Sequence, residues 1–227
     1  MKTKLFSIVL LVFLSATLAV AQSPGKMSFG ILGGVNFQNL NGTNSAGDKL
    51  ENDLIIGYHA GVNVQIPVAL EFYFQPGVLF STKGAKHTSS VLGTDITSTT
   101  SISYIEVPLN LVYKGMLGNG YVLLGLGPYI GYGVMGKVKT EGGSVTLDSD
   151  IEFKNVVELT DPLTVPYYKA FDAGGNIFFG YEMAGGIFAT LNAQLGMLNI
   201  NPEYKALSDD ESSIKNTGFG FSLGYRF

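Results

Sequence analysis

The chain has 227 residues, of which 46% are hydrophobic, 12% aromatic and 14% charged, and its formal net charge is −4. This balance excludes the basic surface that nucleic-acid binding requires, so we expect no nucleic-acid partner. The absence of cysteine excludes a disulfide framework and a cysteine-linked lipid anchor. Thirty glycines and many aromatic residues favour an all-β fold, because glycine weakens helices and aromatic side chains suit strands.

A targeting segment opens the chain. Lys2 and Lys4 flank the start of an apolar run at residues 5–18, and Ala19, Val20 and Ala21 form a small-x-small site. This order predicts a Sec-type signal peptide over residues 1–21, followed by one domain over residues 22–227. A transmembrane anchor is the alternative, but the apolar run is shorter than the ~20 residues that a spanning helix needs.

Eight later stretches alternate apolar with small or polar residues at a period of two, which predicts strands with two different faces. The predicted strands cover residues 27–38, 54–66, 71–83, 101–114, 121–135, 171–183, 187–199 and 217–227. Long polar loops are predicted at 39–53, 84–100, 136–170 and 200–215, with an extra hairpin at 144–157, and short turns at 67–70, 115–120 and 184–186.

The connections therefore alternate between long and short. One strand face is broadly apolar, and the other carries glycine, serine, amides and charges. Outer-membrane barrels have an even strand number, short periplasmic turns, longer extracellular loops and strands of at least ~9 to 11 residues. A soluble sandwich or lipocalin-like barrel, the alternative, would have its apolar face inside. The sequence predicts an all-β, eight-stranded antiparallel up-and-down transmembrane β-barrel, monomeric and surrounded by outer-membrane lipid.

Five short motifs support this prediction. They are, in chain order, YIEVPL at 104–109, GPYIG at 127–131, FDAG at 171–174 with Tyr181-Glu182 ending the same strand, GMLNI at 196–200 and GYRF at 224–227. Together they resemble the outer-membrane β-barrel domain family, whose members include PorT-like and porin-family proteins. The resemblance covers most of residues 29–227 and implies an eight-stranded outer-membrane barrel. PorT itself is linked to the secretion of other proteins, and nothing in this sequence carries that role over.

Charged residues on the predicted inner faces define a candidate lumen site. They are Glu71, Glu106, Asp172, Glu182 and Arg226, the single arginine of the chain. An eight-stranded lumen is only wide enough for its own side chains, so we do not expect it to conduct solutes. Buried charges need partners, and Arg226, Glu71 and Glu182 lie near the same barrel end. We predict a lumen ion-pair cluster of Arg226 with Glu182 or Glu71, and include Glu106 in it. A proton or ion relay is the alternative role.

The aromatic end of the last strand has a different interpretation. Phe227 resembles the C-terminal signal by which outer-membrane barrels are recognised for insertion. We therefore predict that Phe227, with Tyr225, is an assembly residue that meets the barrel assembly machinery.

No catalytic residue, metal ligand or cofactor is predicted. His87 and Ser89 have the His-x-Ser spacing of lipid A deacylases, but that chemistry needs a rigid strand that faces lipid, and this segment is Ser/Thr-rich. His59 is interpreted as a hydrogen-bonded interior side chain. Divalent cation binding at the acidic segments 148–152 or 209–211 stays open.

The sequence favours a structural or interaction barrel that displays acidic loops. Its extracellular or periplasmic partner is not identified by the residues. An outer-membrane enzyme acting on lipid, a narrow channel and a secretion-accessory protein are the alternatives.

Overall fold

The computed structural model describes residues 26–91, 93–206 and 212–227. The predicted signal peptide and the acidic run at 209–211 lie outside this part of the chain. Within it, no helix is long and apolar enough to cross a membrane.

The described residues form thirteen strands. They are β1 (Ser28–Thr43), β2 (Ile55–Ala69), β3 (Phe72–Val91), β4 (Thr94–Leu117), β5 (Gly120–Gly142), β6 (Val145–Asp150), β7 (Glu152–Phe153), β8 (Val156–Val157), β9 (Tyr167–Tyr168), β10 (Phe171–Met183), β11 (Ile187–Gly196), β12 (Glu203–Tyr204) and β13 (Ser213–Arg226). Eight long strands pair in antiparallel order through β1 to β5, β10, β11 and β13, and β13 pairs back with β1. The predicted eight-stranded up-and-down barrel is confirmed.

The strand register fixes the width of this barrel. A row of paired residues leaves β1 at Gln38, passes once around the wall and returns to β1 at Ser28, ten residues lower. Ten residues of stagger over eight strands give a tilt of about 40° and a backbone radius of about 8 Å, from ~3.3 Å per residue and ~4.8 Å between strands. The interior therefore has room for little besides side chains.

The two faces of the wall differ in polarity as the alternation predicted. On β2, Tyr58 and Val62 are exposed, whereas His59, Asn63 and Gln65 are buried in the lumen. Transferring such a belt of apolar side chains from water to lipid is favourable by roughly 25 cal/mol per Å². The outer surface is therefore suited to lipid and the inner surface to hydrogen bonding.

The two ends of the barrel have very different connections. At one end, here called the turn end, the strands are joined by residues 70–71, 118–119 and 184–186. At the other, the loop end, residues 44–54, the β5–β6 hairpin, residues 151–170 and residues 197–212 connect or extend the strands. Both described termini of the barrel domain lie at the turn end, because β1 begins there and β13 ends there.

Part of the loop prediction is wrong. Residues 84–100 were predicted to be a polar loop, but β3 and β4 continue as a hairpin in which Gly84 pairs with Ser101 and Val91 pairs with Thr94. The segment is rich in threonine, which favours strands. Its polar residues therefore indicate a strand exposed to water and not a loop. Similarly, β5 extends to Gly142, and the extra hairpin is formed by β5 with β6 instead of residues 144–157.

An apolar cluster covers the lumen at the loop end. Its buried members come from β1, β3, β4 and the connections 151–170 and 197–212: Leu40, Ala85, Ile102, Tyr104, Ile151 and Ile200. Two parallel strand pairs, β7 with β9 and β8 with β12, hold the described parts of these connections over the barrel.

Candidate functional site

The turn end of the lumen contains a cluster of three charged side chains. Arg226 Nε lies 2.9 Å from Glu182 Oε2, and Lys114 Nζ lies 2.6 Å from Glu182 Oε1. Arg226 also donates through Nη1 to Asn63 Oδ1 at 3.0 Å and through Nη2 to Gln75 Oε1 at 3.4 Å. One carboxylate thus receives two cations, and neutral amide oxygens accept the remaining guanidinium donors.

A second cluster lies towards the loop end, and it has the opposite composition. Lys83 Nζ lies 2.6 Å from Glu106 Oε1 and 3.2 Å from Asp172 Oδ2. The side chains of all three are at most 1% exposed. Asp172 Oδ2 also accepts from the Tyr129 hydroxyl at 3.0 Å and from Asn216 Nδ2 at 3.0 Å. Here one cation serves two carboxylates, and two neutral donors bond to Asp172 Oδ2, whereas Asp172 Oδ1 has no hydrogen-bond partner among the described residues.

The predicted lumen residues are divided between these clusters. The structure brings Arg226 and Glu182 together and places Glu106 in the second cluster. Glu71 is in neither, which corrects its predicted place. It occupies the turn between β2 and β3 with a φ of 63°, is exposed, and interacts with Tyr113. A left-handed turn residue leaves the strand alternation, so the inward parity assumed for Glu71 does not apply.

Two lumen cations were missed from the sequence. Lys83 has the same parity on β3 as the predicted inward residue Gln75, and Lys114 has the same parity on β4 as Glu106. Their positions at the ends of the predicted strands hid them. Following the period of two to the last residue of each predicted strand would have found both.

Between the two clusters, a third polar group crosses the lumen. His59 Nδ1 lies 2.6 Å from Asn36 Oδ1, and His59 Nε2 lies 2.7 Å from Ser222 Oγ. Asn36 Nδ2 donates to Ser81 Oγ at 3.2 Å, and Asn192 Nδ2 donates to Ser222 Oγ at 3.1 Å. These five residues line a cavity of about 90 Å³ that lies between the charged clusters.

The two predicted assembly residues lie at the turn end of the outer wall. Tyr225 and Phe227 make an edge-to-face ring contact, with centroids 4.9 Å apart. The backbone N–H of Phe227 donates to the Phe29 carbonyl at 2.8 Å, and the Phe227 side chain is exposed. The aromatic terminus is therefore ordered against β1 while its ring stays accessible.

The His-x-Ser segment lies on the β3 extension. His87 and Ser89 share a face of the strand, and both are exposed. That face is the one that points into the lumen lower on β3, and His87 Nδ1 lies 2.9 Å from the Glu51 carbonyl oxygen. The pair thus lacks the lipid-facing position that a deacylase site needs.

Charged contacts at the loop end fix the segment after β7. Lys154 Nζ lies 2.7 Å from Asp161 Oδ1, and Asp161 Oδ2 accepts from the Glu158 backbone N–H at 2.9 Å. The Lys154 hydrogen bond, followed by the Glu158 N–H, lowers the pKa of Asp161, and the Asp161 hydrogen bond raises the pKa of Lys154. In the described part of the chain, no group of three or more His, Cys, Asp or Glu side chains is arranged to hold a metal ion.

Comparisons with known proteins place these features in context. A family model described as "Outer membrane protein beta-barrel domain" matches residues 20–204. No curated protein matches the chain. Ail of Yersinia pestis, solved with the heparin analogue sucrose octasulfate, is 13% identical over 89% of this chain and 100% of its own, with a TM-score of 0.37. Neisserial surface protein A is 8% identical over the same shares, with a TM-score of 0.38.

Proposed function

Since the chain belongs to the outer membrane protein beta-barrel domain family and is located in the outer membrane, we propose that it is a structural and interaction barrel with a closed lumen. In this function the eight-stranded wall is a rigid cylinder in the lipid. The loop-end residues are the surface that meets an extracellular partner. The lumen conducts no solute across the membrane, because ion-pair clusters and an apolar cluster of its own side chains lie across the path.

The closed lumen is supported by charged and apolar layers of side chains that lie across it at different heights. The Arg226 and Lys83 clusters lie at two different heights in the lumen. The Lys83 cluster crosses the lumen, because Lys83 on β3 contacts Asp172 on β10. The apolar cluster with Ile102 and Ile200 covers the loop end. A permeant ion would have to separate buried ion pairs, and leaving one buried charge unpaired costs several kcal/mol, about 3–5.

Support for an interaction role comes from the loop end. At the turn end, two or three residues connect neighbouring strands. At the loop end, by contrast, the strands are longer and two parallel strand pairs lie over the barrel. The Lys154–Asp161 and Lys205–Glu158 pairs hold the 154–161 segment in one conformation, with side-chain contacts of 2.7 and 2.8 Å. A pre-ordered surface loses less conformational entropy on binding than a free loop does.

The proposed display function is tested by replacing residues 158–165 with a glycine–serine segment of equal length. A deletion strain carrying this variant is compared with one carrying the wild-type protein for adhesion, secretion and envelope permeability. We expect adhesion to fall while outer-membrane level and permeability stay at wild-type values. If the deletion strain lost adhesion but the variant strain kept wild-type adhesion, the binding surface would not include residues 158–165. Loss of secretion alone would favour the secretion-accessory function.

We also propose that Phe227 acts in assembly. Its exposed ring and the backbone bond to Phe29 leave an aromatic end that a recognition protein can reach. Removing Phe227 should lower the amount of folded protein in the outer membrane without changing the lumen contacts. Immunoblots of outer-membrane fractions measure this, and Phe171→Ala, which removes an exposed ring at the loop end, is the control.

A further inference from the structure

We infer that the middle of the lumen contains a nucleophilic serine site, in which Ser222, His59 and Asn36 have the roles of nucleophile, general base and positioning residue. The site would accept the acyl group of a small, uncharged ester. This activity is separate from the loop-end display proposed above, and neither depends on the other.

The geometry of the three side chains is that of a serine–histidine relay. Ser222 Oγ is 2.7 Å from His59 Nε2, and His59 Nδ1 is 2.6 Å from Asn36 Oδ1. An amide oxygen can only accept, so His59 carries its proton on Nδ1 and its Nε2 is the acceptor for the serine proton. This tautomer is the one in which histidine acts as a base towards a serine hydroxyl.

The orientation of Asn36 is itself determined by a neighbour. Its Nδ2 donates to Ser81 Oγ at 3.2 Å, while its Oδ1 faces His59. Glycine on the adjacent strand position makes room for the ring, since a Cβ at Gly34 would lie 2.7 Å from His59 Cε1. Four strands thus fix the relay: β1 supplies Asn36, β2 supplies His59, β3 supplies Ser81 and β13 supplies Ser222.

A donor for the developing oxyanion lies beside the nucleophile. Asn192 Nδ2 donates to Ser222 Oγ at 3.1 Å. When Oγ attacks a carbonyl carbon, the carbonyl oxygen comes close to the same atom, and a side-chain amide there stabilises the negative charge that forms. Nucleophile, base and oxyanion donor all border the same cavity, so a reacting group in the cavity could meet all three.

The cavity limits the substrate to a small and neutral molecule. Its volume of about 90 Å³ is below the ~150 Å³ of a cavity that holds benzene. The charged clusters above and below the cavity disfavour an ionic substrate, because it would displace buried ion pairs. Asn63, Gln75 and Arg226 border the cavity and also belong to the turn-end cluster. One layer of side chains therefore separates the cavity from the turn end, where Lys114 is 12% exposed.

The chemical step conserves atoms and charge. Ser222 Oγ bonds to the acyl carbon while its proton moves to His59 Nε2. His59 returns this proton to the leaving alkoxide as the ester C–O bond breaks, which yields an alcohol and acylated Ser222. A water molecule, deprotonated by His59, then attacks the acyl carbon, and the carboxylic acid and the free Ser222 hydroxyl are formed.

The test uses methanesulfonyl fluoride, a small neutral reagent that sulfonylates activated serines with loss of fluoride. We expect intact-mass measurement of the folded, purified barrel to show one methanesulfonyl group, and peptide mapping to place it on Ser222. Ser222→Ala should gain no adduct. The matched control is Thr100→Val, which removes a buried hydroxyl beside Tyr168 at the loop end and should label at the wild-type rate.

His59 and Asn36 are tested by the rate of labelling, with the heat-modifiable gel shift as the check of folding. His59→Gln keeps a hydrogen-bonding side chain but removes the base, so the rate should fall at least ~100-fold. Asn36→Leu should lower the labelling rate, whereas Asn36→Asp should label at the wild-type rate or faster. A purely structural role of Asn36 would not require this difference between the two variants. Formate release from methyl formate, an ester with only four non-hydrogen atoms, by the wild-type protein but not by Ser222→Ala would extend the result to esters.

Several results would overturn the inference. The folded wild-type barrel would gain no adduct, or the adduct would map to another residue. Equal labelling rates for wild type and His59→Gln would show that the network is only a set of structural hydrogen bonds. These outcomes concern the lumen alone, so the loop-replacement experiment would stand or fall separately.

Discussion

The two charged clusters in the lumen have three charges each, but their balances are opposite. The turn-end cluster has two cations and one carboxylate, whereas the loop-end cluster has one cation and two carboxylates. The six charges sum to zero along the lumen. Neither excess is left to solvent: Tyr129 and Asn216 donate to the extra carboxylate Asp172, and Asn63 and Gln75 accept from the extra cation Arg226.

Aromatic faces lie against the cations of both clusters. Lys83 Nζ lies 4.2 Å from the Tyr129 ring centroid, and Lys114 Nζ lies 4.8 Å from that of Tyr121. The guanidinium of Arg226 lies 5.1 Å from the centroid of Phe188. Cation–π contacts strengthen when they are desolvated, to about 2 kcal/mol. A narrow barrel can therefore bury unequal charges at each height when neutral side chains of the right polarity bond to the group in excess.

Removing the single cation of the loop-end cluster should have the largest effect. Lys83→Met leaves Glu106 and Asp172 buried with no cation between them. We expect the free energy of unfolding to fall by about 3–5 kcal/mol. Urea unfolding in lipid vesicles, followed by the heat-modifiable gel shift, measures the change.

The matched control is Lys139→Met, which breaks an exposed pair with Glu141 at 2.8 Å. It should leave the free energy of unfolding unchanged within the error of the measurement, because an exposed ion pair contributes little. If Lys83→Met were as mild as this control, the loop-end cluster would not contribute to stability as described.

Arg226→Met should have an intermediate effect. Glu182 keeps Lys114 as a partner, so no charge is stranded, but two amide oxygens lose a donor. We expect a loss of about 1–3 kcal/mol in the same unfolding experiment. An effect equal to or larger than that of Lys83→Met would contradict the contrast between the two clusters. If Arg226→Met left the gel shift and the unfolding midpoint unchanged, Arg226 would not stabilise the folded barrel.

The half-buried Lys154–Asp161 pair should show the smallest effect, as a change of local order with pH. Because the folded pKa of Asp161 lies below its ordinary 3.8, the pair stabilises the loop above pH 3.8, and this contribution is lost as the pH falls through the folded value. Because the pKa of Lys154 is raised above 10.5, the contribution is present below pH 10.5 and is lost as the pH rises through the folded value. Hydrogen exchange of residues 154–161 should therefore be slowest between these limits. Asp161→Asn should abolish the acid dependence, and an unchanged profile would contradict the assignment.

Much of the wall could be predicted from the sequence because a period of two is a local property. β10 was predicted with its bounds at Phe171 and Met183, and the inward placement of Glu106, Glu182 and Arg226 followed from parity. The lengths of β3 and β4 were underestimated. Polar residues occur both in loops and in strands exposed to water, so the residue pattern alone does not distinguish the two.

The contacts inside the lumen could not be predicted in the same way. Ser222 and His59 are 163 positions apart, and their approach depends on the pairing of β1 with both β2 and β13. Glu71 was misplaced because it is a left-handed turn residue before β3, and the strand alternation does not apply to it. Strand register and turn conformation depend on how strands pair, and the local alternation of apolar and polar residues does not specify either of them.

Conductance across a planar lipid bilayer tests the closed lumen most directly. The purified wild-type barrel should show no steady openings of porin size, because both ion-pair clusters and the loop-end apolar cluster lie across the path. Lys83→Met combined with Arg226→Met should admit more current than wild type if the folded barrel is retained. Steady porin-sized openings of the wild-type protein would contradict the closed lumen.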